Sequence, residues 1–138
     1  MLQKYKKISV RTNGINLYEI TNNILDWINK INLTSGLINI SIQHTSASLL
    51  LQENADPTVL EDLKNYYIKL VPFHNNYQHA TEGYDDMPAH IKASLTNTNI
   101  TLSVIEKKLN LGTWQGIFLF EHRNSSKNRL ITLHYIGN

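Results

Sequence analysis

GTWQGIFLFEHR, residues 112–123, carries two interleaved apolar rows, Ile117 and Leu119 on one parity and Phe118 and Phe120 on the other. Period-two alternation is the geometry of a β-strand, in which successive side chains leave opposite faces. Each row ends in a polar group: Glu121 closes one and His122 the other. The neighbouring stretches NITLSVIE (99–106) and NRLITLHYI (128–136) read the same way, with NSSKN as the connection between the last two strands.

Working outward, GLINISIQH (36–44) places Ile38, Ile40 and Ile42 on one strand face, and His44 shares their parity. From that pattern alone His44 reads as a core histidine hydrogen-bonded to backbone, since an unpaired buried imidazole is unfavourable. SASLLLQE (46–53) reads as a further buried strand. Residues 2–12 alternate loosely and end at Asn13-Gly14, a hairpin-type turn pair, with INLYEI (15–20) as the next strand. Thr21 or Asn22 is placed to cap a helix whose apolar face is Ile24, Leu25, Ile28 and Ile31, with Gly36 just beyond its end. Asp56-Pro57 starts a second helix, in which Val59, Leu60, Leu63, Tyr66, Tyr67 and Leu70 recur at helical spacing until Pro72. Asp85 or Asp86, followed by Pro88, announces a third short helix with Ile91 and Leu95 on its inner face. Strands with segregated helices make an α+β fold of mostly antiparallel pairing. With no repeat or linker in its 138 residues, the chain reads as one domain, 1–138.

Composition narrows the chemistry. No apolar run approaches the roughly 18 residues of a membrane span, and MLQKYKKISV lacks a signal-peptide core, so a cytoplasmic protein without a membrane partner is expected. A net charge of +2 from mixed signs, with no basic block, gives little drive toward nucleic acid. Zero cysteines excludes disulfides and thiolate chemistry, so any transition metal must be held by histidine and carboxylate.

PFHNNYQHATEGYDDMPAH (72–90) gathers His74, His79 and His90 with Glu82, Asp85 and Asp86. Connections above about 12–15 residues without structure of their own are uncommon in compact domains and tend to be functional. Tyr77 and Tyr84 give this one something to pack, so it reads as an ordered active-site loop. His90 is placed in the first turn of its helix, where the macrodipole favours a neutral ring with a free lone pair. The histidine spacing matches no local ligand motif such as H-E-x-x-H.

QHTSASLLLQENADPTV (43–59), NYQHATEGYDDMPAHIKASL (76–95) and LGTWQGIFLFEHR (111–123) together resemble successive blocks of the YjbQ-like family, the secondary thiamine-phosphate synthase enzyme family. The resemblance implies a mixed, barrel-like α+β core with about three helices, a homotrimer and a histidine-lined cleft. It implies a divalent metal, zinc above all, on His44, His79 and His90, with magnesium as the option for a diphosphate substrate. Asp86 and Glu53 are the candidates for ligand support or proton transfer. Ser46, Trp114, Gln115, His122 and Arg123 are the candidates for substrate binding, Arg123 offering a fork for phosphate or carboxylate unless a salt bridge consumes it. His74 falls outside the shared pattern and reads as a solvated loop residue.

The activity implied by the resemblance joins a pyrimidine diphosphate to a thiazole phosphate. No glycine-rich phosphate cradle occurs here, so that activity is expected to be weak or a side reaction of another metal-assisted function. The alternatives are a non-catalytic trimer that binds metal or a small ligand, and a metal-dependent hydrolase. A serine nucleophile at Ser46 or Ser48 beside His44 lacks the strand-turn-helix setting of G-x-S-x-G.

Overall fold

The computed structural model describes residues 1–138 as eight strands and three helices. In chain order these are β1 (Leu2–Asn13), β2 (Asn16–Glu19), α1 (Thr21–Lys30), β3 (Gly36–Ile42), β4 (Ala47–Glu53), α2 (Pro57–Leu70), α3 (Asp86–Leu95), β5 (Asn99–Ile105), β6 (Lys108–Leu109), β7 (Gln115–Glu121) and β8 (Ser126–Gly137). The strands form a five-stranded sheet, β1-β8-β3-β5-β6, and a three-stranded sheet, β2-β7-β4. The pairing expected to be mostly antiparallel is antiparallel throughout, and the two sheets curve into a half-barrel.

The two rows of residues 117–121 set the layering. Ile117 and Leu119 join Ile38, Ile40, Ile131 and Leu133 of the larger sheet and Ile24 and Ile28 of α1 in the main core. Phe118 and Phe120 point the other way, into a smaller cluster with Leu17 that α2 covers through Leu60, Leu63 and Tyr67. β7 is therefore buried on both faces, which is why its run is apolar at every position from Ile117 to Phe120.

Asn13-Gly14 is not a hairpin. β1 pairs with β8 in one sheet and β2 with β7 in the other, so the chain changes sheets at this corner. The reason is length: β1 is 12 residues long and pairs throughout with β8, whereas β2 has only 4 residues to offer. Gly14, at φ +92°, makes the turn, and the Tyr18 hydroxyl ties it by accepting from Asn13 N–H and donating to Gly14 O, both at 2.8 Å. The chain changes sheets again between β7 and β8, which do not pair.

The helices depart from expectation in detail. Thr21 lies inside α1, and its hydroxyl donates to Glu19 Oε2 (2.8 Å) and accepts from Ile117 N (2.9 Å), so it ties the helix to the sheet instead of capping it. Asp56 does cap α2, accepting from Thr58 N at 2.9 Å. In α3 the buried face is Pro88, Ala89, Lys92 and Ala93, and Leu95 is exposed. Small residues let α3 approach β4, so the inward face is chosen by fit and not by hydropathy. No helix is long and apolar enough to cross a membrane.

Candidate metal centre

Asp86 opens α3, and His90, four residues on, lies one turn above it on the same face. His90 thus sits beyond the first turn where the sequence put it. The long loop returns His79 to that face. His79 Nε2 is 2.7 Å and His90 Nε2 3.2 Å from Asp86 Oδ2, and the two rings are 5.4 Å apart. One donor atom from each of the three residues lies within 4.8 Å of the others. Glu82 Oε2 is a further carboxylate oxygen, 3.1 Å from His79 Nε2.

Hydrogen-bond accounting makes this cluster unusual. His90 Nδ1 lies 2.9 Å from the Thr45 carbonyl, which only accepts, so Nδ1 carries a proton. In a neutral ring that leaves the Nε2 lone pair aimed at a carboxylate oxygen. Two lone pairs facing each other require a cation between them, either a second proton or a metal ion. A histidine whose other nitrogen donates to a backbone carbonyl is the usual support of a metal ligand.

Arg123 holds the carboxylates in place. Its Nη1 donates to Asp86 Oδ1 (2.5 Å), its Nε to Asp85 Oδ2 (3.0 Å) and its Nη2 to the Glu82 carbonyl (2.9 Å). Asp86 is buried, and burial by itself raises its carboxyl; the His79 hydrogen bond and the charges of Arg123 and His90 overcome this and hold it below the usual carboxylate range. At Asp85 burial again raises, and the Asn124 N–H and Arg123 outweigh it. Each Arg123 nitrogen holds one partner, so the salt-bridge alternative holds, and two of the five N–H donors have no partner within the chain.

The remaining candidates lie elsewhere. β3 ends at Ile42, and His44 beyond it accepts the Leu130 N–H on Nε2 at 2.8 Å, the backbone hydrogen bond that the strand pattern suggested. Its other nitrogen therefore carries the proton in the neutral ring, which has no lone pair left for a metal. His44 shares a shallow cleft of about 330 Å³ with Thr45, His90 and Ala93, while Asp86 takes the third place in the donor set. Ser46 accepts from Arg129 Nη2 at 3.0 Å. His122 is wholly buried against Ser48, with its Nε2 2.9 Å from Ser48 Oγ, and burial pushes its pKa down to about 2. A serine nucleophile finds no support: the imidazole beside Ser48 is His122, not His44, and Ser48 is itself buried.

Glu53, Trp114 and Gln115 occupy the opposite end of the β4–β7 ladder. Register pairs Ala47 with Glu121 and Glu53 with Gln115, so these ends lie six residues, or roughly 20 Å, apart. There Glu53 accepts from Asp56 N (3.2 Å), Gln115 Oε1 accepts from Gly112 N (2.8 Å), and Trp114 is exposed. Within one chain they do not meet the histidines.

Sequence reading passed over several participants. Glu121 is fully buried and paired with Arg129, a partner that strand alternation could not single out. Beside His79 opens a cleft of about 450 Å³ walled by Phe73, His74, Tyr77, Tyr84 and Met87. His74, read as a solvated residue, is exposed yet stacks on Tyr84 with ring centroids 5.4 Å apart.

The profile of the UPF0047 protein YjbQ-like family matches residues 6–138. The chain belongs to this YjbQ-like family. Among its relatives, the UPF0047 protein sll1880 of Synechocystis is 41% identical over 98% of this chain and 92% of its own length. The UPF0047 protein YjbQ of Escherichia coli O157:H7 is 44% identical, covering 94% and 93%. Among solved structures, a YjbQ/UPF0047 family protein from Clostridium acetobutylicum superposes with a TM-score of 0.88 at 30% identity, over 95% of this chain and 99% of that one. A hypothetical protein of Aeropyrum pernix K1 shares the fold, with a TM-score of 0.90 at 22% identity over 98% and 99%. The YjbQ-like resemblance and the α+β fold expected from the sequence both hold.

Proposed function

We propose that this YjbQ-like protein is a metal-dependent enzyme whose divalent ion, zinc by the character of the donors, is held by His79, Asp86 and His90. The observation that carries the reading is the His90 ring, whose Nδ1–H donates to the Thr45 carbonyl while Nε2 is presented to a carboxylate. Two imidazoles and a carboxylate are a donor set typical of open, catalytic sites. An ion bound there supplies Lewis acidity toward a substrate oxygen. Asp86 holds its ligand oxygen in place because Arg123 fixes the other one, and Glu82 stands 3.1 Å from His79, within reach of a proton at that edge.

The neighbouring aromatic cleft supports a small substrate with a planar, weakly charged portion, since its walls carry no lysine or arginine. Joining a pyrimidine diphosphate to a thiazole phosphate, as the resemblance implies, is proposed only as a weak activity, because the nearby Arg123 is already paired with Asp85 and Asp86 and the cleft carries no other cation. Self-association as a homotrimer is part of the same proposal. It would give Glu53, Trp114 and Gln115 a route to a neighbouring subunit's cluster.

Elemental analysis of untagged protein, with zinc titration calorimetry, tests the centre. About one ion per chain is expected for the wild type and for His44→Ala, with loss in His79→Ala, Asp86→Ala and His90→Ala. Retention in all three of those variants overturns the reading, and loss in His44→Ala alone moves the centre to a different ligand set. Rescue of a thiamine-auxotrophic host tests the synthase activity, which fails as a metal-dependent function if His90→Ala rescues as well as wild type. Light scattering tests the trimer, and a purely monomeric profile removes it.

A further inference from the structure

Beneath the loop cleft, two wholly buried polar atoms have no partner within the protein, Lys92 Nζ and His122 Nδ1. They belong to residues brought together by two hydroxyls, since Thr96 contacts the Lys92 carbonyl and Ser48, and Ser48 contacts His122, and the Lys92 charge helps to lower the pKa of His122. The Phe73 ring lies over Nζ, its centroid 5.7 Å away. Buried polar atoms are nearly always satisfied, so each of these calls for a specific explanation.

The neighbouring hydroxyls fix what the explanation must be. Thr96 Oγ1 lies 2.8 Å from the Lys92 carbonyl and 2.6 Å from Ser48 Oγ. The threonine has one proton, and the carbonyl has none to offer, so Thr96 donates to Lys92 O. Ser48 must then donate to Thr96, and the 2.9 Å contact between Ser48 Oγ and His122 Nε2 takes its proton from the ring. The opposite order would leave a 2.8 Å oxygen–oxygen contact with no proton in it. His122 is therefore the Nε2–H tautomer, and its Nδ1 is a bare lone pair looking for a donor. Lys92 is a donor looking for an acceptor. An oxygen that carries its own proton satisfies both, whereas phosphate, chloride or an ionised carboxylate satisfies only the lysine and is repelled by the lone pair.

We propose that a single buried water bridges Lys92 Nζ and His122 Nδ1, accepting from the amino group and donating to the imidazole, and so closes a one-way ring of hydrogen bonds through Ser48 and Thr96. The ring runs from the Lys92 side chain through water, His122, Ser48 and Thr96 back to the Lys92 carbonyl. Bonds that share one direction polarise each other favourably. The ring fastens α3, which carries Asp86 and His90, to β4 through Ser48 and to the end of β7 through His122. Lys92 and His122 are thus positioning residues for that helix, whatever the helix binds.

Long-range proton–nitrogen NMR on the full chain reads the tautomer directly. His122 should show a protonated Nε2 and an unprotonated Nδ1 at neutral pH; the reverse pattern overturns the ring. A high-resolution crystal structure should show one water within about 3.2 Å of both nitrogens. A direct contact between Nζ and Nδ1, or a space without density, overturns the bridge. In Lys92→Met the water peak should be lost while the tautomer stays, because Ser48 and Thr96 still order it. In Ser48→Ala the single tautomer should give way to a mixture. If either variant fails to fold, the wild-type spectrum and density decide alone.

Discussion

Arg129→Met is expected to be among the most damaging single substitutions in this chain. Glu121 is completely buried and accepts five hydrogen bonds: from Thr12 Oγ1 (2.6 Å), Arg129 Nε (2.7 Å), Arg129 Nη2 (2.5 Å), His122 N (3.0 Å) and Arg123 N (3.1 Å). Methionine removes two of those donors and the only countercharge bonded to the carboxylate, leaving a buried charge uncompensated at a cost of about 3–5 kcal/mol. For 138 residues the unfolding entropy near the midpoint is about 0.29 kcal/mol/K, so the loss corresponds to roughly 10–17 °C in Tm. Adding Glu121→Gln to Arg129→Met removes the stranded charge yet keeps an oxygen for the His122 and Arg123 N–H groups. The double variant should therefore be more stable than Arg129→Met alone, a coupling that a double-mutant cycle reads in urea melts at fixed protein concentration. The reasoning is refuted if Arg129→Met falls within about 1 kcal/mol of wild type, given the range for buried pairs, or if the double variant is the weaker of the two.

Other outcomes follow from the same structure. Asp85 and Asp86 are depressed below 3.8 in the fold, so their contribution is complete above that pH and is lost as pH falls through their lowered values. Arg123→Met should move the acid-unfolding midpoint, followed by circular dichroism, to higher pH, and an unchanged midpoint would disconnect the arginine from both carboxylates. Burial lowers Lys92 from 10.5 to about 8, so the unfolded chain binds the extra proton between those values and wild-type stability should rise with pH across that window. Lys92→Met should lack that slope, and denaturation curves of the two proteins at pH 8 and 10 would expose a mistaken sign. Gly36→Ala places a Cβ against the Ile136 carbonyl and 2.7 Å from Gly137 Cα. Two strand backbones must part to admit it, so about 1–3 kcal/mol of destabilisation is expected, and a neutral thermal melt would show that the β3–β8 contact is looser than it looks.

Local rules read the strands well because alternation is a property of the backbone itself. The rows Ile38–Ile42 and Ile117–Glu121 appear in the sequence as they stand in the sheets. The Asp56 cap was equally legible, since capping chemistry is confined to three residues. Asn13-Gly14 misled because turn propensity says nothing about which strand offers the longer partner. Leu95, expected inward, is exposed and Lys92 is buried, because periodicity equates apolar with inward while a helix packed on small residues chooses by shape. At the site, the loop and its residues Asp86, His79 and His90 were legible as a group, being neighbours along the chain. His44 was legible as a backbone-bonded histidine from its strand parity; the resemblance, which counted it as a ligand, could not show that the Leu130 N–H, 86 residues away, occupies its ring. The distance to Glu53, Trp114 and Gln115 was not legible, since only the β4–β7 register reveals it.

Glu121, His122 and Arg123 stand consecutively at the mouth of β7 and serve three different neighbourhoods: the pair with Arg129, the Ser48 hydroxyl of β4, and the carboxylates that steady the histidines. Because neighbouring strand residues face opposite ways, a slip of one position would trade carboxylate for imidazole in their burial places and carry the arginine away from its acids. Hydrogen-bond phasing along a greasy strand thus acts as the ruler for chemistry beyond its tip. Indels between Gly116 and Glu121 should accordingly be far less tolerated than equally conservative changes of size within those same apolar positions.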